Sequence, residues 1–175
     1  MRELEPTKRS IVGVATRFYD PLGFMSPITI RFKMLFQELC QNKVGWDEPL
    51  SGDLLHTWKS LASSFQGLSI SIPRCYFASV DRSLSTCSLQ GFCDASTGAY
   101  AAVVCLKVVA GTVVTVKFIA SKARVSPVSK QTIPRLELLS ALLLAKLIAA
   151  VSAALEPDIT LSEVTCFTDS KVSLY

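Results

Sequence analysis

Residues 138–155 form eighteen consecutive positions whose only charge is Lys146. A run of that length and polarity can cross a bilayer, or it can form a helix that is apolar nearly all round and lies against a sheet. A lysine near the middle costs about 2.5–3.5 kcal/mol on insertion scales. Ala and Ser fill much of the rest, and Arg135 and Glu137 precede the run without a basic cluster to anchor an end. The sequence therefore reads as a helix that needs a sheet, with no membrane partner expected.

The strands to receive it are upstream. Residues 89–94, 99–107 (AYAAVVCLK) and 112–120 (TVVTVKFIA) are short runs rich in β-branched residues. Turns at Ser96-Thr97-Gly98 and Ala110-Gly111 separate them, so they predict a three-stranded antiparallel meander. Residues 121–132 read as a polar loop carrying Lys122, Arg124 and Lys130. Pro134 opens the helix, Glu156-Pro157-Asp158 ends it near residue 155, and residues 164–168 predict a fourth strand. The order β-β-β-α-β predicts a mixed sheet, because a strand after a helical crossover lies parallel to its neighbour. The expected fold class is α/β (α+β).

The first half reads differently. Residues 1–10 are a polar lead-in, residues 11–19 are apolar around Arg17, and Asp20-Pro21-Leu22-Gly23 predicts a turn. Ser26-Pro27 has the form of an N-cap followed by a first-turn proline. Behind it Ile28, Phe32, Leu35, Phe36 and Leu39 share one helical face. Residues 43–50 form a loop, and a second helix over about 52–65 turns Leu54, Leu55, Trp58, Leu61 and Phe65 inward. Lys8, Arg9, Arg31 and Lys33 read as a solvated face, with nucleic-acid contact the rival account. Residues 66–88, rich in Ser with Gly67 and Pro73, read as a connection holding one or two short strands. The expected organisation is a helical unit at 1–73, a linker at 74–88 and the sheet-bearing unit at 89–175.

Half the residues are hydrophobic and 18% are charged, which argues against intrinsic disorder. A net charge of +4 permits a nucleic-acid partner without demanding one. The six cysteines contain no C-x-x-C pair and His56 is the only histidine, so a zinc site has little to build on. With a polar start in place of a signal peptide, the thiols read as reduced, mostly buried groups of an intracellular protein, in cytoplasm or nucleus.

Three lone carboxylates interrupt apolar runs: Asp94 in Gly91-Phe92-Cys93-Asp94-Ala95-Ser96, Glu137 in Pro134-Arg135-Leu136-Glu137-Leu138, and Asp169 in Cys166-Phe167-Thr168-Asp169-Ser170. An unpaired buried charge is costly. If the first and fourth strands are adjacent and parallel, Asp94 and Asp169 end side by side, about 5 Å apart along the sheet. Glu137, in the first helical turn, can reach the same edge. Three converging carboxylates repel one another unless a divalent cation neutralises them, and hard oxygen donors suit Mg²⁺ or Mn²⁺. Such a site fits two-metal phosphodiester hydrolysis. The plainer alternatives are a turn aspartate at 94 capping with Ser96, a dipole-favoured glutamate at 137, and a helix N-cap at 169.

These motifs, in this order, resemble the ribonuclease H domain of reverse transcriptases, most closely that of Pao/BEL-type long-terminal-repeat retrotransposons. The likeness rests on the three acidic segments together with Ser121-Lys122-Ala123-Arg124-Val125. It extends through Thr7-Lys8-Arg9-Ser10, Phe18-Tyr19-Asp20-Pro21-Leu22-Gly23-Phe24-Met25-Ser26-Pro27 and Gly45-Trp46-Asp47-Glu48-Pro49-Leu50. The latter segments are similar to the part of such polyproteins that follows the polymerase palm.

The resemblance implies that Asp94, Glu137 and Asp169 are catalytic metal ligands, and that the substrate is the RNA strand of an RNA–DNA hybrid. Lys122, Arg124, Lys130, Ser96 and Ser170 are then candidates for nucleic-acid contact, with the rest of a polyprotein as a further partner. The family's domain continues past the fourth strand to another acidic ligand, whereas this chain ends at Tyr175. It is accordingly expected to be an incomplete ribonuclease H-like unit that cleaves weakly or not at all by itself. A non-catalytic nucleic-acid-binding remnant is the alternative. No Asp-Thr-Gly or Asp-Ser-Gly occurs, so no aspartic peptidase activity is expected.

Overall fold

The computed structural model describes residues 6–65, 67, 69, 71, 72, 75–77, 83 and 85–171. In chain order the elements are α1 (Lys8–Ala15), α2 (Ser26–Gln41), α3 (Gly52–Ser64), β1 (Thr86–Ala95), β2 (Ala99–Ala110), β3 (Val113–Val125), α4 (Ile133–Leu155) and β4 (Leu161–Phe167). They fall into two compact units, one of residues Met1–Pro21 with Met25–Ser71, the other of Leu22–Phe24 with Ile72–Tyr175. The predicted short strands within 66–88 fall partly on residues outside the described set.

In the helical unit, Ile11, Phe32, Leu35, Leu39, Leu50 and Leu61 form the core. Phe32 lies at its centre, with the rings of Phe65 at 5.1 Å and of Phe18 and Trp58 at 6.0 Å each. The sequence gives no warning of α1. Its first turn is Lys-Arg-Ser, yet Thr7 and Ser10 close a reciprocal cap, each side-chain oxygen accepting the other's backbone N–H at 3.2 and 2.9 Å. Lys8 is a correction to the solvated-face reading. Its side chain is only 8% exposed, and its ammonium lies over the rings of Trp46 and Phe36 while donating to the Val44 carbonyl. Arg9 pairs with Asp47 at the surface, and Arg31 and Lys33 are exposed. Ser26 is not the N-cap of α2. Met25 occupies that position, and the Asp20 carboxylate accepts the Met25 N–H at 2.7 Å.

In the second unit the strand order is β3-β2-β1-β4, with β1 antiparallel to β2, β2 antiparallel to β3, and β4 parallel to β1. This is the mixed α/β sheet that the β-β-β-α-β order predicts. A two-residue turn joins β2 to β3, and Gly111 at its first position takes φ +58°. Alternation along β1 and β2 sends Cys87, Leu89, Cys93, Ala102, Val104, Leu106 and Val108 into a core completed by Leu143, Leu144 and Val151 of α4. By length and composition α4 is apolar enough to cross a membrane. Here it packs on β1 and β2, while its Leu138 and Leu142 are half exposed. Gly91 sets the helix-to-sheet distance, since a Cβ there would meet Ile148 and Leu144 methyls at 2.7 and 2.8 Å.

Two further expectations change. β3 continues through Val125, pairing Ala99 with Val125, so Lys122 and Arg124 stand on a strand and only Lys130 is in the loop. The backbone there is held by the partner strand and, at Ser121, by its N–H donating to the Leu22 carbonyl at 2.8 Å, while the Ser121 hydroxyl donates to the Gly23 carbonyl at 2.6 Å. Gly23 takes φ +80°, and a Cβ would collide with the Ser121 carbonyl. The thiols are not mostly buried: Cys87 and Cys93 are, Cys105 is intermediate, and Cys40, Cys75 and Cys166 are exposed.

Candidate metal centre at the strand ends

The parallel register of β1 and β4 pairs Gly91 with Cys166 and Phe92 with Phe167. Asp94 and Asp169 each lie two residues beyond the last of these pairs, so both carboxylates leave the sheet at the same rim. Glu137 is the fifth residue of α4, which begins at Ile133, so it lies just past the first turn in which the sequence put it, and the N-terminal end of the helix comes to that rim. One carboxylate oxygen from each of the three residues lies within 4.8 Å of the other two. Segments separated by more than thirty residues thus converge on one point.

The three are not equivalent. Asp94 and Asp169 are exposed, and the Asp94 Oδ1 accepts the Ala95 N–H at 2.7 Å. Glu137 is buried, at 8% exposure, and its Oε2 has no hydrogen-bond partner. Burial pushes the Glu137 carboxyl above its ordinary value, and the charges of Asp169 and then Asp94 push it further. A buried, unpartnered carboxylate oxygen facing two more carboxylates is what a hard divalent cation would satisfy. The donor set is all oxygen. Cys93, although next to Asp94, is turned into the core with its Sγ 3.9 Å from the Phe167 carbonyl.

The other candidates lie on neighbouring segments of the same unit. Ser96 is in the β1–β2 turn, where its hydroxyl accepts the Gly98 and Ala99 N–H groups at 3.3 and 3.2 Å. The turn is thus held by Ser96, while Asp94 caps the end of β1 through the Ala95 N–H. Ser170 follows Asp169 and donates its N–H to the Thr168 hydroxyl at 3.1 Å. Lys122, Arg124 and Lys130 are exposed. The N-cap rival for Asp169 depends on residues 172–175, outside the described set. Sequence reasoning passed over Tyr100 and Lys146, which the fold places beside Arg124. Lys146 had a signal, as the only charge in its apolar run.

The sequence pattern of the family described as "Pao retrotransposon-like RNaseH-like domain" matches residues 7–170. The chain belongs to this family. The match runs through both compact units of this Pao ribonuclease H-like domain, from the α1 cap to the residue after Asp169. Its mixed four-stranded sheet and α4 are consistent with a ribonuclease H-like fold. Membership ties the domain to nuclease-related retrotransposon polyproteins and to a nucleic-acid substrate. No curated protein matches the chain.

Proposed function

We propose that this Pao ribonuclease H-like domain carries the metal site of a phosphodiester hydrolase acting on the RNA strand of RNA–DNA hybrids. Asp94, Glu137 and Asp169 are its ligands, and Mg²⁺ or Mn²⁺ is its ion. The observation that carries this reading is the convergence of the three carboxylates within 4.8 Å, one of them buried and unpartnered.

A bound divalent ion of this kind supplies an activated water and charge stabilisation at a phosphoryl group. The chain's own contribution is rigidity. Two ligands leave neighbouring strands and the third leaves a helix packed on those strands, so the carboxylates are held without loop rearrangement. Burial of Glu137 keeps one ligand out of bulk water, which strengthens its hold on a cation. Lys122, Arg124 and Lys130 are exposed and suited to phosphate contact, and Ser96 and Ser170 follow Asp94 and Asp169 closely in the chain. Within the same reading, residues 1–73 are the connection that follows a polymerase palm, and the linker, read from the sequence as 74–88, gives way to the hydrolase unit at β1, which starts at Thr86. The remainder of the polyprotein is a partner, and the place of action is intracellular.

The test is incubation of the chain with an end-labelled hybrid in millimolar Mg²⁺ or Mn²⁺. Cleavage confined to the RNA strand, lost in Asp94→Asn, supports the proposal. Salt-sensitive binding without cleavage, unchanged in Asp94→Asn, replaces it with the non-catalytic nucleic-acid-binding reading.

A further inference from the structure

β3 carries one residue more than its partner strand can match. Cys105 pairs with Phe118 and Val104 with Ala120, so Ile119 is a bulge in the middle of an edge strand. Ile119 and Ala120 are both buried. Past the bulge the faces exchange. Ala120, Lys122 and Arg124 pair with Val104, Ala102 and Tyr100, on the face that α4 covers, while Ser121 and Ala123 take the opposite face. Without the bulge Lys122 would stand opposite Ala101 and Arg124 opposite Ala99, with Ser121 and Ala123 beneath α4. Polarity alone favours that second register, which turns two cations away from the helix and leaves no residue of β3 unpaired.

A three-residue strap stands against it. Leu22–Phe24, from between α1 and α2, groups with the sheet-bearing unit, whereas the chain on either side groups with the helical one. The strap meets β3 on both sides of the bulge. Phe24 lies against Phe118 with ring centroids 4.4 Å apart. The Ser121 N–H donates to the Leu22 carbonyl at 2.8 Å, and the Ser121 hydroxyl to the Gly23 carbonyl at 2.6 Å. Only glycine fits this approach, since buried Gly23 takes φ +80° and a Cβ there would strike the Ser121 carbonyl. The base of the loop is closed as well, where the Asp20 carboxylate accepts the Met25 N–H at 2.7 Å.

We propose that the Leu22–Phe24 strap is a register latch, which selects the bulged pairing of β3 and so aims Lys122 and Arg124 to the α4 side of the sheet. Both Ser121 bonds are specific to that register. A one-residue slip rolls the strand by half a turn, sending the Ser121 N–H toward β2 and its hydroxyl under α4, out of reach of the two carbonyls. The strand end has two available pairings, and occupancy of the strap decides between them. The device is independent of any reaction at the carboxylate rim.

The test traps the register of the full chain by disulfide cross-linking. Ala101→Cys with Ala123→Cys puts thiols on directly opposed residues of the bulged ladder, while Ala101→Cys with Lys122→Cys does so only after the slip. Each pair is oxidised with diamide, and peptide mapping separates its cross-link from any made by the six native cysteines. With the native strap the 101–123 cross-link is expected, and none at 101–122. Gly23→Ala should reverse the two. Ser121→Ala, which removes one of the two hydrogen bonds, should shift their ratio about fivefold. Ser121→Ala combined with Phe24→Ala adds no clash and gives the same reading where Gly23→Ala unfolds the chain by circular dichroism. A folded strap variant that keeps the 101–123 cross-link at native yield overturns the latch. Loss of that cross-link without gain of the 101–122 one overturns it too, because the strap would then only hold the strand end down.

Discussion

Phe92 of β1 and Phe167 of β4 face each other across the parallel pair, their rings stacked with centroids 5.0 Å apart and planes 14° from parallel. The stack is the last paired rung before the two aspartates, and it pins the strands in the register that brings Asp94 and Asp169 to one rim.

Removing either ring should therefore cost more than stability. Both rings are close to half exposed, so Phe167→Ala is expected to lose about 2 kcal/mol, below the range for a fully buried phenylalanine. Metal affinity should fall as well, although Phe167 is no ligand. Urea unfolding paired with metal titration checks both. Lost stability at unchanged affinity would show that the stack does not set the aspartates.

Gly91→Ala should destabilise the second unit by about 1–3 kcal/mol, because the added methyl meets Ile148 and Leu144 inside a closed interface. Both are ends of flexible side chains, so the effect belongs at the lower end if they can rotate away. Chemical denaturation of the variant measures it, and native stability would contradict the close helix-on-sheet packing.

Glu137→Gln is expected to stabilise the metal-free protein at neutral pH and to remove its response to metal. The folded-state pKa of Glu137 is raised above its ordinary 4.5 by burial and by Asp169 and Asp94. The folded chain therefore takes up the proton more readily than the unfolded one. Stability from this group is fully present below the unfolded value and is lost as pH rises through the folded value. Melting measured in chelator from pH 4 to 8 should show that decline for the native chain and less of it for Glu137→Gln. Parallel profiles would contradict the buried-carboxylate account.

Lys8→Ala is expected to cost the helical unit about 1–2 kcal/mol, from a lost hydrogen bond to Val44 and lost contact with Trp46 and Phe36. Arg31→Ala, at an exposed position, should stay within about 0.5 kcal/mol. Equal effects in a melting comparison would place Lys8 back among the solvated charges.

The mixed sheet was legible because its signals are local. β-branched runs, short turns and one long apolar helix leave few topologies, and the parallel placement of β4 follows from the crossover. The convergence of the three carboxylates was legible for a related reason, the parallel placement of β4 beside β1, whereas the burial argument holds for Glu137 alone, since Asp94 and Asp169 are exposed. What escaped the sequence depends on partners. The end of β3, Ser-Lys-Ala-Arg, looks like a loop because its polar residues are read alone, whereas Tyr100 and Ala99 across the strand hold it extended. Lys8 looks solvated until α1 forms and sets Trp46 and Phe36 beneath it. Cys166, by contrast, looks apolar enough for the core but lies on an edge strand, where it is exposed.

The central claim, that Asp94, Glu137 and Asp169 form one cation site, is tested most directly by thermal melting across a Mg²⁺ or Mn²⁺ titration, with native chain and Asp94→Asn side by side. A ligand at 100 times its dissociation constant stabilises by about 2.7 kcal/mol, which for a chain of this size is a shift of roughly 5–10 °C. The account predicts such a rise for the native chain and little or none for Asp94→Asn. No rise at millimolar metal, or an equal rise in both proteins, would contradict it.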